Sequence, residues 1–284
     1  MTRIRLWLTS VGGVVAFAVL VWLYYWIPTL LSADAKTAEA FRGQLTALVG
    51  ICATASVAIF GINKHFLDRE KQRTDIFNTA IGHLASDDAV IRAGGVRALA
   101  RMMRYSSADR ARVLETFADV LRHRTAQLGS GETHHRLPSD ISAILVALQR
   151  RTTAADDPPL NLSGVRLAGA NLRGVDLRGA RLIGADLTDA DLRGARLAEA
   201  DLDRAILANA ELSGTDLRAA KLTRARLTGA VLRECVAAGT DFSGSGLAGA
   251  DLRATDLQTA IGLTRDQIGS AGSDSTTRLP AELT

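Results

Sequence analysis

Two segments of this chain contain residue types that could bind a ligand, namely a glycine-rich stretch and a pair of histidines. Gly244-Ser245-Gly246-Leu247-Ala248-Gly249 has the glycine spacing of a dinucleotide-binding turn. Such a turn follows a strand and opens a helix, whereas this segment lies inside a repeat, so we do not expect nucleotide binding there. His134 and His135 are adjacent, but their Gly/Ser-rich segment supplies no further pair of metal ligands. A plain loop is the better interpretation of that segment.

The two cysteines, Cys52 and Cys235, lie in different contexts, and neither belongs to a CxxC motif or a Cys/His cluster. We therefore expect neither a disulfide framework nor a zinc site. Asp186, Asp191 and Asp201 recur because of a repeat and do not converge on a pocket. The sequence holds no Walker A, HExxH or GxSxG motif. We predict no catalytic residue, no cofactor and no metal, and the chain is not expected to be an enzyme.

The elements that would position any surface residue are units of five residues, which run without a gap through 160–259. Ala170-Asn171-Leu172-Arg173-Gly174 is a typical unit, and there are 20 of them. The third residue is Leu in every unit except those with Ala237 and Phe242, and the first is small or apolar. Because extended backbone alternates sides, these two residues point inward together, and the polar residue between them points outward. Glycine in the last position suits a corner.

Stacked units of this kind bury their leucines, which a single unit cannot do. The predicted structural core of the repeat consists of leucines: Leu162, Leu172, Leu187, Leu192, Leu202, Leu217 and Leu252. Ala237 removes volume from this core, and the sequence assigns no function to that irregularity.

The repeated A-(D/N)-L-x-x pattern resembles the pentapeptide-repeat family over about a third of the chain. The resemblance implies a right-handed quadrilateral parallel β-helix with four units per coil, and so five coils in all. At about 4.8 Å per coil the array would be roughly 24 Å tall. The segment from Gly262 to about Pro280 is similar to the closing segments of bacterial members, and we expect it to cap the last coil.

Two uncharged runs near the start of the chain predict transmembrane helices. One extends from Leu6 to Ala33, with aromatic residues toward both ends, and the other from Gly43 to Asn63. Each is long enough to cross about 30 Å of hydrocarbon. A cleavable signal peptide is the alternative for the first run, but the run is longer than a typical signal core. Lysines and arginines outside the runs place both termini in the cytoplasm.

Four amphipathic helices are predicted between the second run and the repeats, on the stripes around Leu84, Leu99, Phe117 and Leu145. The domain organisation is thus a two-helix transmembrane hairpin over 1–63, a cytoplasmic helical connector over 64–157, the β-helix over 158–259, and a cap or tail over 260–284. This arrangement is similar to that of bacterial membrane-associated pentapeptide-repeat proteins. The many arginines of the connector would either meet anionic headgroups or form a solvated face.

We expect a membrane-tethered, non-catalytic interaction module in the inner (plasma) membrane, presenting its solenoid to an unidentified cytoplasmic protein. The resemblance also implies an alternative, because some soluble family members are acidic DNA mimics that bind topoisomerases. Residues 160–259 contain 13 Lys/Arg and 13 Asp/Glu, which disfavours a mimic. A transport or sensing role for an oligomer of the spans is a third hypothesis. We expect lipid contact through the spans and no nucleic-acid partner, and self-association stays open.

Overall fold

The computed structural model describes residues 19, 22, 35–127, 137–151 and 157–283. It divides into two compact units, Met1–Asp75 and Ile76–Thr284. Helix α1 (Ala35–Leu84) contains the second uncharged run and continues through the charged residues that follow it. The first run lies outside the described residues except for Val19 and Trp22.

Among the described residues, no helix combines the length and the hydropathy that a bilayer crossing requires. In α1 the uncharged run extends from Gly43 to Asn63, where the polar residues Gln44, Thr46, Thr54 and Ser56 lower its mean hydropathy. The predicted location in the inner membrane, with both termini cytoplasmic, is wrong.

Three helices follow within the second unit. They are α2 (Ala89–Tyr105), α3 (Ser107–Ala126) and α4 (Ser139–Gln149). Asp88 caps α2 by accepting a hydrogen bond from the Val90 N–H, within the predicted start signal Ser86-Asp87-Asp88. The apolar stripes of these helices form a shared core whose central members are almost fully buried: Val96, Leu99, Val113, Phe117, Leu121, Ile144 and Leu148.

A buried ion pair joins α2 to α4 inside this helical part. The Arg92 Nε lies 2.7 Å from the Asp140 carboxylate, and both side chains are less than a tenth exposed. The same guanidinium donates to the backbone carbonyl oxygens of Ser86 and Asp87 at 2.9 and 2.7 Å. Because removing Asp140 would leave the buried Arg92 guanidinium without its carboxylate, this pair ties the packing of α2 to that of α4.

The repeats form a β-helix with a coil of 20 residues. Each outward residue makes a parallel bridge to the residue 20 positions later, beginning with Asn161 to Arg181 and Arg166 to Asp186. The Leu162 N–H, for example, donates to the Arg181 carbonyl oxygen at 2.7 Å. Four bridges fall in each coil, so the coil has four sides. We number these faces one to four after their first bridge residues: Asn161, Arg166, Asn171 and Asp176.

Each corner is a tight turn, and 19 of the 20 units have a left-handed residue in the last position, the exception being Thr259. Gly164 has φ +67°, and the Val165 N–H returns to the Leu162 carbonyl oxygen at 3.4 Å. A turn with positive φ at its third residue favours glycine there. Eight units nevertheless place a residue with a side chain in this conformation: Asp189, Glu199, Arg204, Asn209, Ala219, Arg224, Glu234 and Ala254.

The connector helices close the first coil of the β-helix. The Thr125 hydroxyl, on α3, accepts a hydrogen bond from the Arg166 N–H at 3.1 Å. The Gln149 amide, on α4, donates to the Asn171 carbonyl oxygen at 2.9 Å, and Arg151 donates to the Asp176 carbonyl oxygen at 2.6 Å. Backbone groups that a bare sheet edge would leave unpaired therefore have partners on three of the four faces.

The C-terminal tail closes the last coil. Ile261, Gly272 and Arg278 make parallel bridges to faces one, three and four. Between them the short helix α5 (Arg265–Ser270), which starts with a capping box at Thr264, crosses the end of face two. There the Gln267 amide donates to the carbonyl oxygens of Phe242 and Ser245 at 3.1 and 2.8 Å. The stack thus ends on side-chain and irregular backbone partners, so no regular edge continues beyond it.

Candidate interaction surface

The seven leucines predicted as the repeat core are at most 2% exposed. Ala237 and Phe242 are fully buried in consecutive units. In the glycine-rich segment, Ser245 and Leu247 are the buried pair, while Gly244 and Gly249 occupy corners with φ +65° and +69°. The dinucleotide-like spacing is thus a consequence of the repeat. His134 and His135 lie outside the described residues.

The outward aspartates of the repeat have a local structural role. The Asp186 carboxylate accepts a hydrogen bond from the Thr188 N–H at 3.1 Å, and Asp201 accepts one from the Asp203 N–H at 3.2 Å. This turn between a side chain and the backbone two residues later satisfies a donor at the corner. It accounts physically for Asp and Asn in the second position of the unit.

Where arginine follows two residues after such an aspartate, the two side chains form a fork. Arg193 donates from Nε and Nη2 to the two carboxylate oxygens of Asp191 at 2.8 and 2.5 Å. Arg218 and Asp216 repeat this geometry at 2.8 and 2.7 Å. Bidentate pairing of this kind fixes the plane of the guanidinium as well as its position. There are four such pairs: Asp176–Arg178, Asp191–Arg193, Asp216–Arg218 and Asp251–Arg253.

All four forks lie on faces three and four, which share a corner. We call this region the arginine-fork surface. Two further arginines, Arg173 and Arg233, stand in the same column as Arg193 and Arg253 and approach the carboxylates of Asp191 and Asp251. Coils are about 4.8 Å apart. The surface therefore presents guanidinium groups in a line at fixed multiples of that spacing.

The pairing shifts the ionisation of both partners. The hydrogen bond from Arg193 holds the pKa of the Asp191 carboxyl below its ordinary value, and Arg218 does the same to the pKa of Asp216. The carboxylates in turn raise the pKa of Arg178, Arg193 and Arg218. The Asp191–Arg193 and Asp216–Arg218 forks therefore stay fully charged on both sides near neutral pH.

Charge is balanced on each face separately. Counting the bridge residue and the two outward corner residues of each unit, face one has four cationic and three anionic residues, and face two has two of each. Face three has four of each, and face four has three cationic and four anionic residues. None of the four faces resembles a polyanion. The predicted neutrality of the array thus holds face by face as well as in total.

The interior contains polar side chains in one column as well. The Cys235 thiol and the Thr215 hydroxyl, one coil apart, donate to the carbonyl oxygens of Leu212 and Leu192 at 3.0 Å. Burial raises the pKa of the Cys235 thiol to about 12. A thiol held neutral in this way is a packing group, because the reactive form is the thiolate. Within the described residues, no group of three His, Cys, Asp or Glu side chains could hold a metal ion.

A coil of four short sides, a leucine core and corners on left-handed residues define a repeat protein of the quadrilateral β-helix class. The family described as pentapeptide repeats matches in eight copies, over residues 161–197, 185–224 and 220–258. The chain belongs to the pentapeptide-repeat family, and its β-helix is right-handed as the family implies.

Several solved structures are similar to the repeat region. Rfr23, a pentapeptide repeat protein from the cyanobacterium Cyanothece 51142, is 31% identical over 35% of this chain and 63% of its own, with a TM-score of 0.30. HetL from Nostoc sp. strain PCC 7120, involved in heterocyst differentiation regulation, is 29% identical over 43% of this chain and 66% of its own, with a TM-score of 0.20.

QnrB1, a plasmid-mediated fluoroquinolone resistance protein, is 20% identical over 40% of this chain and 65% of its own, with a TM-score of 0.30. The chain thus spans less than two thirds of the length of each of these proteins. No curated protein sequence matches the chain.

Two features of this region are not predicted by the repeat pattern. The forks have a local signal, the tripeptide Asp-Leu-Arg, because residues i and i+2 of that tripeptide both point outward. The closure of the first coil by Thr125, Gln149 and Arg151 has no such signal, since these residues lie 41, 22 and 25 positions before the backbone groups they contact.

Proposed function

We propose that the chain is a non-catalytic interaction module and that the arginine-fork surface binds a protein partner. The observation that carries the proposal is the bidentate pairing of Arg178, Arg193, Arg218 and Arg253 with aspartates of their own units. An arginine held in one orientation loses little side-chain entropy when a partner docks on it. Arginine is also among the residues that dominate binding energy at protein interfaces.

The free edges of the guanidinium groups define the kind of contact. In the forks of Arg193, Arg218 and Arg253, Nε and Nη2 face the aspartate, so Nη1 and the flat face of the group are the parts that a partner would meet. Outward N–H groups suit backbone carbonyl oxygens or carboxylates, and the flat face suits an aromatic ring. A folded protein surface offers all of these. The partner class we propose is therefore a protein with a rigid, matching surface.

The balance of charge argues against the DNA-mimic alternative, since a protein that replaces DNA must present a strongly negative surface. It argues equally against a nucleic-acid ligand, because the aspartates already neutralise the fork arginines. The carboxylates also stand 20 or more residues apart in columns along the stack, at the spacing of coils, rather than around one reacting centre. This supports a binding role over a catalytic one.

Affinity capture followed by mass spectrometry tests the proposal. The full chain serves as bait, beside the variants Arg193→Gln/Arg218→Gln/Arg253→Gln and Arg181→Gln/Lys221→Gln/Arg226→Gln. The second variant removes the same charge from faces one and two. A partner recovered with the parent and the second variant but lost with the first supports the proposal. Equal recovery by all three, or recovery of no partner, contradicts it.

A further inference from the structure

Helix α2 contains four arginines and no acidic residue. Arg92 points into the protein and is neutralised by Asp140. Arg97, Arg101 and Arg104 are exposed and lie at i, i+4 and i+7, which is one stripe of a helix. Because the helix rises about 1.5 Å per residue, this stripe is roughly 10 Å long. The buried residues Val96, Leu99 and Met103 lie on the opposite side.

The stripe differs from the cations of the β-helix in having no counter-charge. Within 35–127, 137–151 and 157–283, no carboxylate lies within 4.0 Å of Arg97, Arg101 or Arg104. Arginines near the C-terminus of a helix gain from the helix dipole, which accounts for Arg104. That gain fades beyond the last turn, so it does not account for Arg97, which lies two turns before the end of α2.

Exposed apolar side chains stand at both ends of the stripe. Val90 is 70% exposed at the N-terminal end of α2, and Tyr105 is 81% exposed at the C-terminal end. With Arg97 and Arg101 they fall at intervals of seven, four and four residues, so all four lie along one side of the helix. Along its exposed side α2 therefore presents the apolar Val90 at one end, the arginines in the middle and the ring of Tyr105 at the other end.

We propose that α2 binds an acidic amphipathic helix of a protein partner. Carboxylates of that helix at i, i+4 and i+7 would pair with Arg97, Arg101 and Arg104, and apolar residues beyond them would contact Val90 and Tyr105. Helix-on-helix docking of this kind uses apolar anchors for affinity and charge pairs for register. A phosphate backbone would use the three cations and leave the two apolar ends exposed, which is why a protein is the favoured partner.

The test uses the full chain and fluorescence anisotropy with a synthetic helical probe peptide. The peptide carries glutamates at i, i+4 and i+7 with a leucine one turn beyond each end, and a second peptide replaces the glutamates with glutamine. We expect the parent to bind the glutamate peptide at least about tenfold more tightly than the glutamine peptide, with a preference that weakens as salt rises. We expect Arg97→Gln/Arg101→Gln/Arg104→Gln to lose that preference.

A matched variant, Arg181→Gln/Lys221→Gln/Arg226→Gln, removes the same charge from exposed positions of the β-helix and should bind as the parent does. Circular dichroism melting of both variants establishes that the substitutions leave the fold intact. The proposal is overturned if the two peptides bind the parent equally, or if the two variants lose affinity equally. It is also overturned if a single-stranded oligonucleotide binds the stripe more tightly than the glutamate peptide does. Because the arginine-fork surface is untouched, this result is independent of the function proposed for it.

Discussion

The Thr125 hydroxyl oxygen lies 3.1 Å from the backbone nitrogen of Arg166 and accepts its hydrogen bond. Thr125 is fully buried. This contact joins the last turn of α3 to face two of the first coil, so the helical part and the β-helix share one continuous core. The connector therefore acts as the N-terminal cap of the repeat array, which is the counterpart of the C-terminal tail.

Thr125→Val keeps the shape of this side chain but removes the acceptor. The Arg166 N–H would then lose this buried acceptor, and we expect the free energy of unfolding to fall by about 1–3 kcal/mol. Urea unfolding followed by circular dichroism measures the change. Thr116→Val is the matched control, because Thr116 lies on the same helix and donates only to the Arg112 carbonyl oxygen within it. Equal effects of the two substitutions would contradict a capping role for Thr125.

Gly262, at the start of the C-terminal cap, has φ +72° and lies against Ser243. A Cβ there would stand 2.1 Å from the Ser243 Oγ and 2.8 Å from its Cα. We expect Gly262→Ala to destabilise by about 1–2 kcal/mol from the left-handed backbone and by a further ~1–3 kcal/mol from the clash.

Gly244→Ala provides the comparison for Gly262. Its φ is +65°, but a Cβ would meet only the Arg224 Cγ at 3.6 Å, an ordinary contact. It should show the backbone cost alone. Thermal melting of both variants separates the two effects, and a smaller loss for Gly262→Ala than for Gly244→Ala would be inconsistent with the close packing of the cap.

Ala219 occupies a corner with φ +53°. Replacing it with glycine relieves about 1–2 kcal/mol of backbone strain and costs roughly 0.5–1 kcal/mol in unfolded-state entropy. We therefore expect Ala219→Gly to stabilise the protein by about 0.5–1 kcal/mol in denaturant titrations. Ala238→Gly, at an exposed position outside the left-handed corners, should destabilise it. Destabilisation by both would argue against strain at the corner.

The Asp191 and Asp216 carboxyls have folded-state pKa values below the ordinary one. A depressed carboxyl pKa stabilises the folded state above the unfolded pKa of about 4, and that stabilisation disappears as the pH falls through the folded pKa. The loss thus falls between roughly pH 4 and the folded-state pKa values below it. The double variant Asp191→Asn/Asp216→Asn should therefore lose less stability on acidification than the parent does.

Asparagine retains an oxygen that can accept from the backbone N–H of Arg193 or Arg218, so these variants isolate the ion pair from the turn. Asp201→Asn is the control, since its turn contains Asp203 in place of arginine. Melting temperatures measured from neutral pH to acid compare the three proteins. An acid dependence of the double variant as steep as that of the parent would contradict the role given to the forks.

The Cys235 thiol, buried and with its pKa raised to about 12, should not react with a thiol reagent while the protein is folded. In a Cys52→Ser background, we expect labelling of Cys235 to become rapid only across the urea unfolding transition. Labelling monitored by absorbance provides the rate. Fast labelling under native conditions would show that this part of the β-helix opens independently of the rest.

The sequence predicts the interior of the β-helix well, because each unit repeats the same inward pair and the leucines can lie nowhere else. Asp176 shows the limit of such reasoning, because the repeat predicts an outward side chain at this position, whereas Asp176 is almost fully buried. Its carbonyl oxygen meets Arg151 from outside the array. Contacts between the repeats and the connector depend on how α3 and α4 pack, and no period in the sequence records that packing.

The wrong membrane prediction has a related physical origin. Hydropathy counts apolar residues along the chain, and the run from Gly43 to Asn63 scores highly because its alanines and glycines do not count as polar. The repeat pattern does not predict the arginine-fork surface, because Asp, Leu and Arg each fill a repeat position and the pattern does not record that the outer two residues can pair with each other.

The coil of 20 residues also constrains how the chain can change in length. Removing one unit keeps every leucine inward but turns all later faces by a quarter of a revolution. Arg253 would then leave the column of Arg193, and the face on which the tail meets Ser245 would no longer be the face on which α3 meets Arg166. Only the gain or loss of a whole coil leaves both ends matched. We accordingly expect relatives that keep both ends of this β-helix to differ from it in length by whole coils of 20 residues.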